Sequence, residues 1–404
     1  MKLPQIPIYI LSIVMLCIST IIGCFPTKGI NNSSKPSSTQ INRKKSEKSE
    51  KIVEKPVQIT PQESEQVPKK SKSNDKAVIS HLEEEAVHKS DSTFGSQAIL
   101  NTCWTQTQLT GKSKEKKVRR SISNPIRQAL LTSIPLYTNS PIVPKLHNSI
   151  RHVIPSKGKK IIALTFDLCE RTKEKTGYDA AIVNYLRKHG IKATFYAGGK
   201  WMHSHPDKAM QLMADPRFEI GNHAWTHGNM RVLRGREMEN QILWTQGQYE
   251  VLRRQLMSQL GARQCPVPVS EMNKIPPVPL TFRFPYGTCN ANSLQALADY
   301  GLPAVQWNVV TGDPSRKQSA KAIARTVLRN VKPGSIIIAH ANGRGYNTAK
   351  ALPLFIPELR RRGYQFVTVS ELLKSGKVVT AKACYELKPG DNKKYDRLFG
   401  KGTE

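Results

Sequence analysis

Beyond residue 159 the chain alternates short apolar runs with longer stretches of helical spacing. The apolar runs are Ile161 to Phe166, Lys192 to Ala197, Phe218 to Asn222, Thr281 to Phe284, Ala304 to Trp307, Ser335 to Ala339 and Gln365 to Val369. Each is too short for a helix and reads as a buried strand. Asp179 to His189, Arg236 to Leu260, Ser319 to Val331 and Thr348 to Arg362 read as helices between them. Strand followed by helix, repeated about seven times, predicts an α/β fold, a distorted parallel (β/α) barrel of about seven strands. In such a barrel the functional groups gather at the C-terminal ends of the strands.

Upstream the pattern is different. Lys2 precedes an apolar run from about Ile6 to Ile22, with Gly23 before Cys24, the layout of an export signal over residues 1–24. Ile21-Ile22-Gly23-Cys24 also has the form of a bacterial lipobox, in which the cysteine carries the lipid; lipidation, ordinary signal cleavage and a retained anchor all stay open. Residues 25–95 are rich in Ser, Lys, Glu, Gln and Pro, and such composition cannot offset its ordering entropy, so a basic, polar, disordered tether is expected. Residues 96–154 mix apolar patches with the basic run Lys112 to Arg120 and read as a partly ordered arm. Residues 155–375 form the expected main domain, and 376–404 a C-terminal tail.

Charge narrows the setting. The formal net charge of +32 implies attraction to an acidic partner. With an export signal in place that partner is an anionic envelope surface met through the tether, and the membrane is reached through the signal or a lipid anchor. Basic and aromatic residues are not interleaved as on a nucleic-acid platform, so no specific nucleic acid is expected. The expected location is the periplasm or cell envelope, with lipid anchoring at Cys24 as one form. Beyond Cys17 and Cys24 lie Cys103, Cys169, Cys265, Cys289 and Cys384, without the close pairs of a zinc ribbon; disulfides are permitted outside the cytoplasm, but five cysteines leave one unpaired.

Polar groups stand at the predicted strand ends: Asp167, His223, Arg283 and His340. His223 and His227 are spaced i, i+4, so one helical turn would project both imidazoles to the same side to share a metal ion. Asp167 is a candidate ligand or general base. Arg283-Phe284-Pro285-Tyr286-Gly287 offers a guanidinium for a carboxylate and a turn whose N–H groups suit an oxyanion. His340 could protonate a leaving amine. Taken singly, each has a plainer reading: a helix cap, two surface histidines, a turn, a core histidine. Four of them at corresponding strand ends favour a site.

The ordered set Thr165-Phe166-Asp167, His223 to His227, Arg283 to Gly287 and Ile336 to His340 resembles the NodB-homology polysaccharide deacetylases, carbohydrate esterase family four, over about Lys159 to Leu373. The resemblance implies a barrel of NodB-homology type and a hydrolase that removes N-acetyl groups from a glycan. It implies that Asp167 is the catalytic base, His223 and His227 are metal ligands, Arg283 orients the base, His340 is the general acid and Tyr286 lends its backbone N–H to the oxyanion. The cofactor would be a divalent metal, zinc first, with cobalt or nickel as alternatives. The substrate would be peptidoglycan, a chitin-like oligosaccharide or an exopolysaccharide.

Two departures stand out. The family usually has a second Asp after the base, as third metal ligand, where this chain has Leu168; Glu170 is the expected substitute, and Cys169 a softer alternative. In Trp307 to Pro314 only Asp313 matches the family's pattern, and it is expected either to tune the pKa of His340 or to serve a turn. The competing functions are an inactive deacetylase-like envelope or glycan-binding protein and another amide hydrolase of the same superfamily.

Overall fold

The computed structural model describes residues 94–121 and 139–400. The export signal, Cys24 and most of the tether lie outside the described residues. Among those described, no helix is long and apolar enough to cross a membrane.

Apart from a two-residue antiparallel pair, Arg119–Arg120 with Glu174–Lys175, the strands are β1 (Ser149–Pro155), β2 (Ile161–Leu168), β3 (Ala193–Ala197), β4 (Phe218–Asn222), β5 (Val309–Val310), β6 (Ile336–His340), β7 (Gln365–Val367) and β8 (Gly376–Ala381). β2 is buried along its whole length, as a central parallel strand must be. It pairs in parallel with β3 on one side and β6 on the other, and β7 joins its first residues. β3 continues to β4, and β6 to β5. Single parallel bridges carry the circuit on from Asn222 to Phe282 and from Phe282 to Ala304. The stretch from Ala304 runs into β5, so the pairing returns to β6 and closes. Six strands share one sheet, and the Phe282 segment stands as the seventh member of the barrel. That segment was expected as a full strand. Pro276, Pro277, Pro279 and Pro285 flank it, and prolines remove ladder donors, so only one bridge forms on each side.

The helices are α1 (Gln97–Cys103), α2 (Gln106–Thr110), α3 (Ala180–Lys188), α4 (Gly199–Ser204), α5 (Pro206–Ala214), α6 (Gly235–Gln259), α7 (Ala291–Asp299), α8 (Ala320–Asn330), α9 (Thr348–Arg361), α10 (Val369–Leu373) and α11 (Lys394–Leu398). Their apolar faces cover the sheet: Ile182, Val183 and Leu186 of α3, and Leu352, Phe355, Ile356 and Leu359 of α9, share one core with Leu164, Phe166 and Leu168 of β2. The described part of the arm is built into that core, where Ile99, Leu100, Trp104 and Leu109 are buried and Cys103 is bonded to Cys265.

The residues after 375, read from sequence as a tail, are folded. β8 lies antiparallel to β1, and Cys384 is bonded to Cys289. The Arg151 guanidinium donates to the Tyr385 and Glu386 carbonyls at 2.8 and 3.1 Å. Arg231 pairs with Asp396 at 2.9 Å, fixing α11 beside the strand C-terminal ends of the barrel.

Candidate active site

β2 delivers Thr165 and Asp167 to the barrel interior, because successive side chains on a strand face opposite ways. Arg283, just past the Phe282 bridge, meets them there. Its Nη1 lies 2.9 Å from Asp167 Oδ1 and 2.7 Å from Thr165 Oγ1, while Nε and Nη2 donate to the Val305 and Gln306 carbonyls at 3.2 Å. The guanidinium is wholly buried and packs on the Tyr196 ring at 4.0 Å. Burial alone would raise the Asp167 carboxyl; the charges of Arg283, then His223 and His340, outweigh it and hold the group below the usual carboxylate range.

His223 and His227 do come together, with ring centroids 4.9 Å apart, but not on a helical turn. Residues 223–227 form a loop, in which Ala224 and His227 adopt φ of 62° and 58°. The i, i+4 helical expectation is therefore corrected: left-handed residues fold the loop back. Tyr286, φ 58°, is the third non-glycine residue with positive φ among those described, and its ring is 4.3 Å from His227. All three such residues border one site, the distribution expected when strain is confined to function. Burial lowers the pKa of both histidines, Asp167 opposing this at His223 and the His223 charge adding to it at His227. Neutral imidazoles are the ligating form. His223 Nδ1 is 2.8 Å from the Arg283 carbonyl, which fixes it as donor; Nε2, 3.5 Å from Asp167 Oδ2, makes no hydrogen bond. A backbone carbonyl on the far nitrogen is how ligating histidines are oriented.

Glu170 is not at this cluster, and its expected role as metal ligand is corrected. Its Oε1 pairs with Lys200 at 3.0 Å and accepts from Ser204 at 2.5 Å, while Oε2 accepts from the Thr176 amide at 2.9 Å. These bonds tie the loop after β2 to α4. The donor atoms that do converge are those of Cys169, His223 and His227, all within 4.8 Å of one another. A nitrogen, nitrogen and sulfur set suits a divalent ion such as zinc. Cys169 is buried, and burial followed by the Asp167 charge pushes its thiol up to about 12.

His340 ends β6 across from Asp167. Its Nδ1 lies 2.9 Å from Asp313 Oδ1, and its amide donates to Asp313 Oδ2 at 2.7 Å. Asp313 also accepts from Thr311 and Thr348, at 3.1 and 2.6 Å. A Cβ at Gly345 would lie 2.7 Å from Asp313 Oδ2 and 2.2 Å from the His340 carbonyl, so only glycine lets the chain pass. Burial would lower the His340 pKa; the charge and hydrogen bond of Asp313, with Asp167, outweigh it and raise the pKa above the ordinary value.

Asp167, Cys169, His227, Tyr286, Asp313 and His340 line a cleft of about 470 Å³. Sequence reasoning missed the cleft's aromatic side. Tyr286 stacks on Phe399 at 4.3 Å and approaches Tyr395 at 5.2 Å, both from the C-terminal segment. Nothing local to Tyr395 or Phe399 signals this, since distant partners bring them here: the Cys289–Cys384 bond, β8 on β1, and the Arg231–Asp396 pair.

Residues 155–258 match the family model described as polysaccharide deacetylase. It is 27% identical over 264 residues to peptidoglycan-N-acetylglucosamine deacetylase PgdA of Listeria monocytogenes, covering 65% of this chain and 47% of the relative. A Bacillus cereus peptidoglycan-N-acetylglucosamine deacetylase is 29% identical over 219 residues, 54% of this chain and 89% of the relative. A chitooligosaccharide deacetylase of Bradyrhizobium is 26% identical over 204 residues, 47% and 82% of the respective chains. The chain spans about half the length of the Listeria relatives it matches.

Proposed function

We propose that this protein is a metal-dependent hydrolase that removes N-acetyl groups from N-acetylhexosamine units of a cell-envelope glycan, peptidoglycan first. The observation that carries the reading is that one cleft holds, side by side at the ends of β2 and β6, a carboxylate held by Arg283, that of Asp167, and an imidazole held by Asp313, that of His340. Two titratable groups pushed apart in pKa are the mark of a base and an acid. The named activities of the relatives support the substrate class.

A divalent cation held by His223 and His227 would supply Lewis acidity to the acetamide carbonyl and acidify water. Asp167 then takes the water proton at Oδ2, while Arg283 holds Oδ1 and keeps the carboxylate turned toward the cleft. Tyr286 borders the carbonyl oxygen from the turn at Pro285–Gly287. His340, with Nδ1 on Asp313, gives its Nε2 proton to the departing sugar nitrogen. One water is consumed; acetate and a free amino sugar leave.

Export to the periplasm or envelope is part of the proposal. The apolar segment before Cys24 supports it, and so do two disulfides among the described residues, since such bonds persist outside reducing compartments. Anchoring at Cys24 predicts that Cys24→Ala moves the protein from membranes to the soluble fraction.

The test is acetate release by the full chain from intact peptidoglycan and from N-acetylglucosamine oligomers. Wild type should release acetate and expose free amines, while Asp167→Asn, folded by circular dichroism, should lose at least about 100-fold in kcat. Folded, metal-loaded wild type that releases none from any N-acetylated glycan would remove the enzyme reading.

A further inference from the structure

We propose that Cys169 is the third protein ligand of the divalent-cation site, as a thiolate, and that with His223 and His227 it forms a two-histidine, one-cysteine centre in place of a carboxylate-bearing one. The proposal rests on the metal-dependent reading above and specifies its ligand set.

Strand parity makes the assignment. Thr165, Asp167 and Cys169 alternate with Phe166, Leu168 and Glu170 along β2 and its exit. The first set meets Arg283 and the histidines. The second faces away: Phe166 and Leu168 are wholly buried in the hydrophobic core, and Glu170 is committed to Lys200, Ser204 and Thr176. Leu168 faces the hydrophobic core and offers no ligand, and the residue after Asp167 that is directed into the cleft is Cys169. Its sulfur is the atom that completes the cluster with the two imidazoles.

Two further observations bear on the site, the first of them independent of the cysteine itself. His223 is 1% exposed, and its Nε2 lacks a hydrogen bond while Nδ1 is anchored on the Arg283 carbonyl. This buried nitrogen, 3.5 Å from Asp167 Oδ2 and without a hydrogen bond, is placed to take a Lewis acid. Asn342 reaches in from the exit of β6, donating from Nδ2 to the Cys169 carbonyl at 2.8 Å and to its sulfur at 3.1 Å. A cysteine that merely fills core volume has no need of an amide donor; a thiolate ligand gains from one.

A disulfide role is closed off among the described residues, because Cys103 pairs with Cys265 and Cys289 with Cys384, leaving Cys169 free. Ligation exchanges the thiol proton for the metal bond, and the ligand set keeps the single negative charge that one carboxylate and two imidazoles would have. What changes is softness: the site favours zinc or cobalt, and magnesium, calcium and manganese are poor occupants.

The experiment is cobalt substitution in the full chain, purified under reductant, stripped with chelator and reloaded with cobalt(II). Wild type should show a near-ultraviolet sulfur-to-cobalt charge-transfer band. Cys169→Asp should bind cobalt without the band, which separates Cys169 from Cys17 and Cys24. Cys169→Ala should lose at least about 100-fold in zinc affinity by competition with a chromophoric chelator, and Asn342→Ala roughly 10–100-fold, the range for a supporting partner. Wild type with bound cobalt and no band, or Cys169→Ala binding zinc as tightly as wild type, would overturn the proposal. Acetate release without the band would overturn it alone and spare the deacetylase reading. The band without acetate release would do the reverse.

Discussion

Arg283 is fully committed within the site, with donors to Asp167, Thr165, Val305 and Gln306 and no exposure. Arg283→Ala strands the Asp167 charge in the interior, so a loss of about 3–5 kcal/mol is expected in chemical denaturation. Arg283→Ala combined with Asp167→Asn should recover part of it. As the proposed general acid, His340 would act in its protonated form, and its pKa lies above the ordinary value because Asp313 outweighs burial. Activity therefore falls as pH rises through that raised pKa. In Asp313→Asn the charge is gone and burial remains, so the alkaline limb of the kcat profile should move to lower pH; an unmoved limb would assign it to another group. Asp167, His223, Arg283 and His340 were legible in sequence because each ends an apolar run. Glu170 was misread because proximity in sequence was weighed over strand parity, the one signal that would have selected Cys169. The histidine loop was misread because i, i+4 spacing is shared by a helical turn and by a loop carrying two left-handed residues, and neither Ala224 nor His227 announces a positive φ.

At the scale of elements, long apolar runs and amphipathic helices were read within a few residues of where they stand. Elements that depend on distant partners were not. The Phe282 segment is held by one bridge on each side, and the C-terminal segment owes its place to β1, Arg151 and Cys289. That segment carries Tyr395 and Phe399 to the cleft, where aromatic faces suit the apolar faces of sugar rings. Phe399→Ala should raise KM for oligosaccharides several-fold with kcat nearly unchanged, since it removes binding common to ground and transition states. Cys384→Ser removes a cross-link, costs about 2–5 kcal/mol in unfolding, and should raise KM in the same direction. Loss of kcat with unchanged KM in Phe399→Ala would mean that the ring supports the chemistry instead.

Over the whole molecule the net charge of +32 has a local expression. Arg119, Arg120, Arg171, Lys173 and Arg344 line a depression beside the cleft with one acidic residue, Glu174, which pairs with Arg171 and Arg344, and these last three line the cleft as well. Such a field raises the local concentration of anionic polymer and is screened by salt, with a Debye length of about 8 Å at physiological ionic strength. KM for anionic peptidoglycan should therefore rise with added salt, while KM for neutral N-acetylglucosamine oligomers stays nearly constant; equal response of the two would remove the steering. Composition showed the sign of the charge but not its position, which depends on a barrel that brings residues from 119 to 344 side by side. Acetate release from the stripped full chain, followed as zinc is added back, bears most directly on the account. Activity should climb in proportion to zinc, level off near about one equivalent per chain, and stay absent in His223→Ala. Full activity in protein shown by elemental analysis to hold no metal would contradict it.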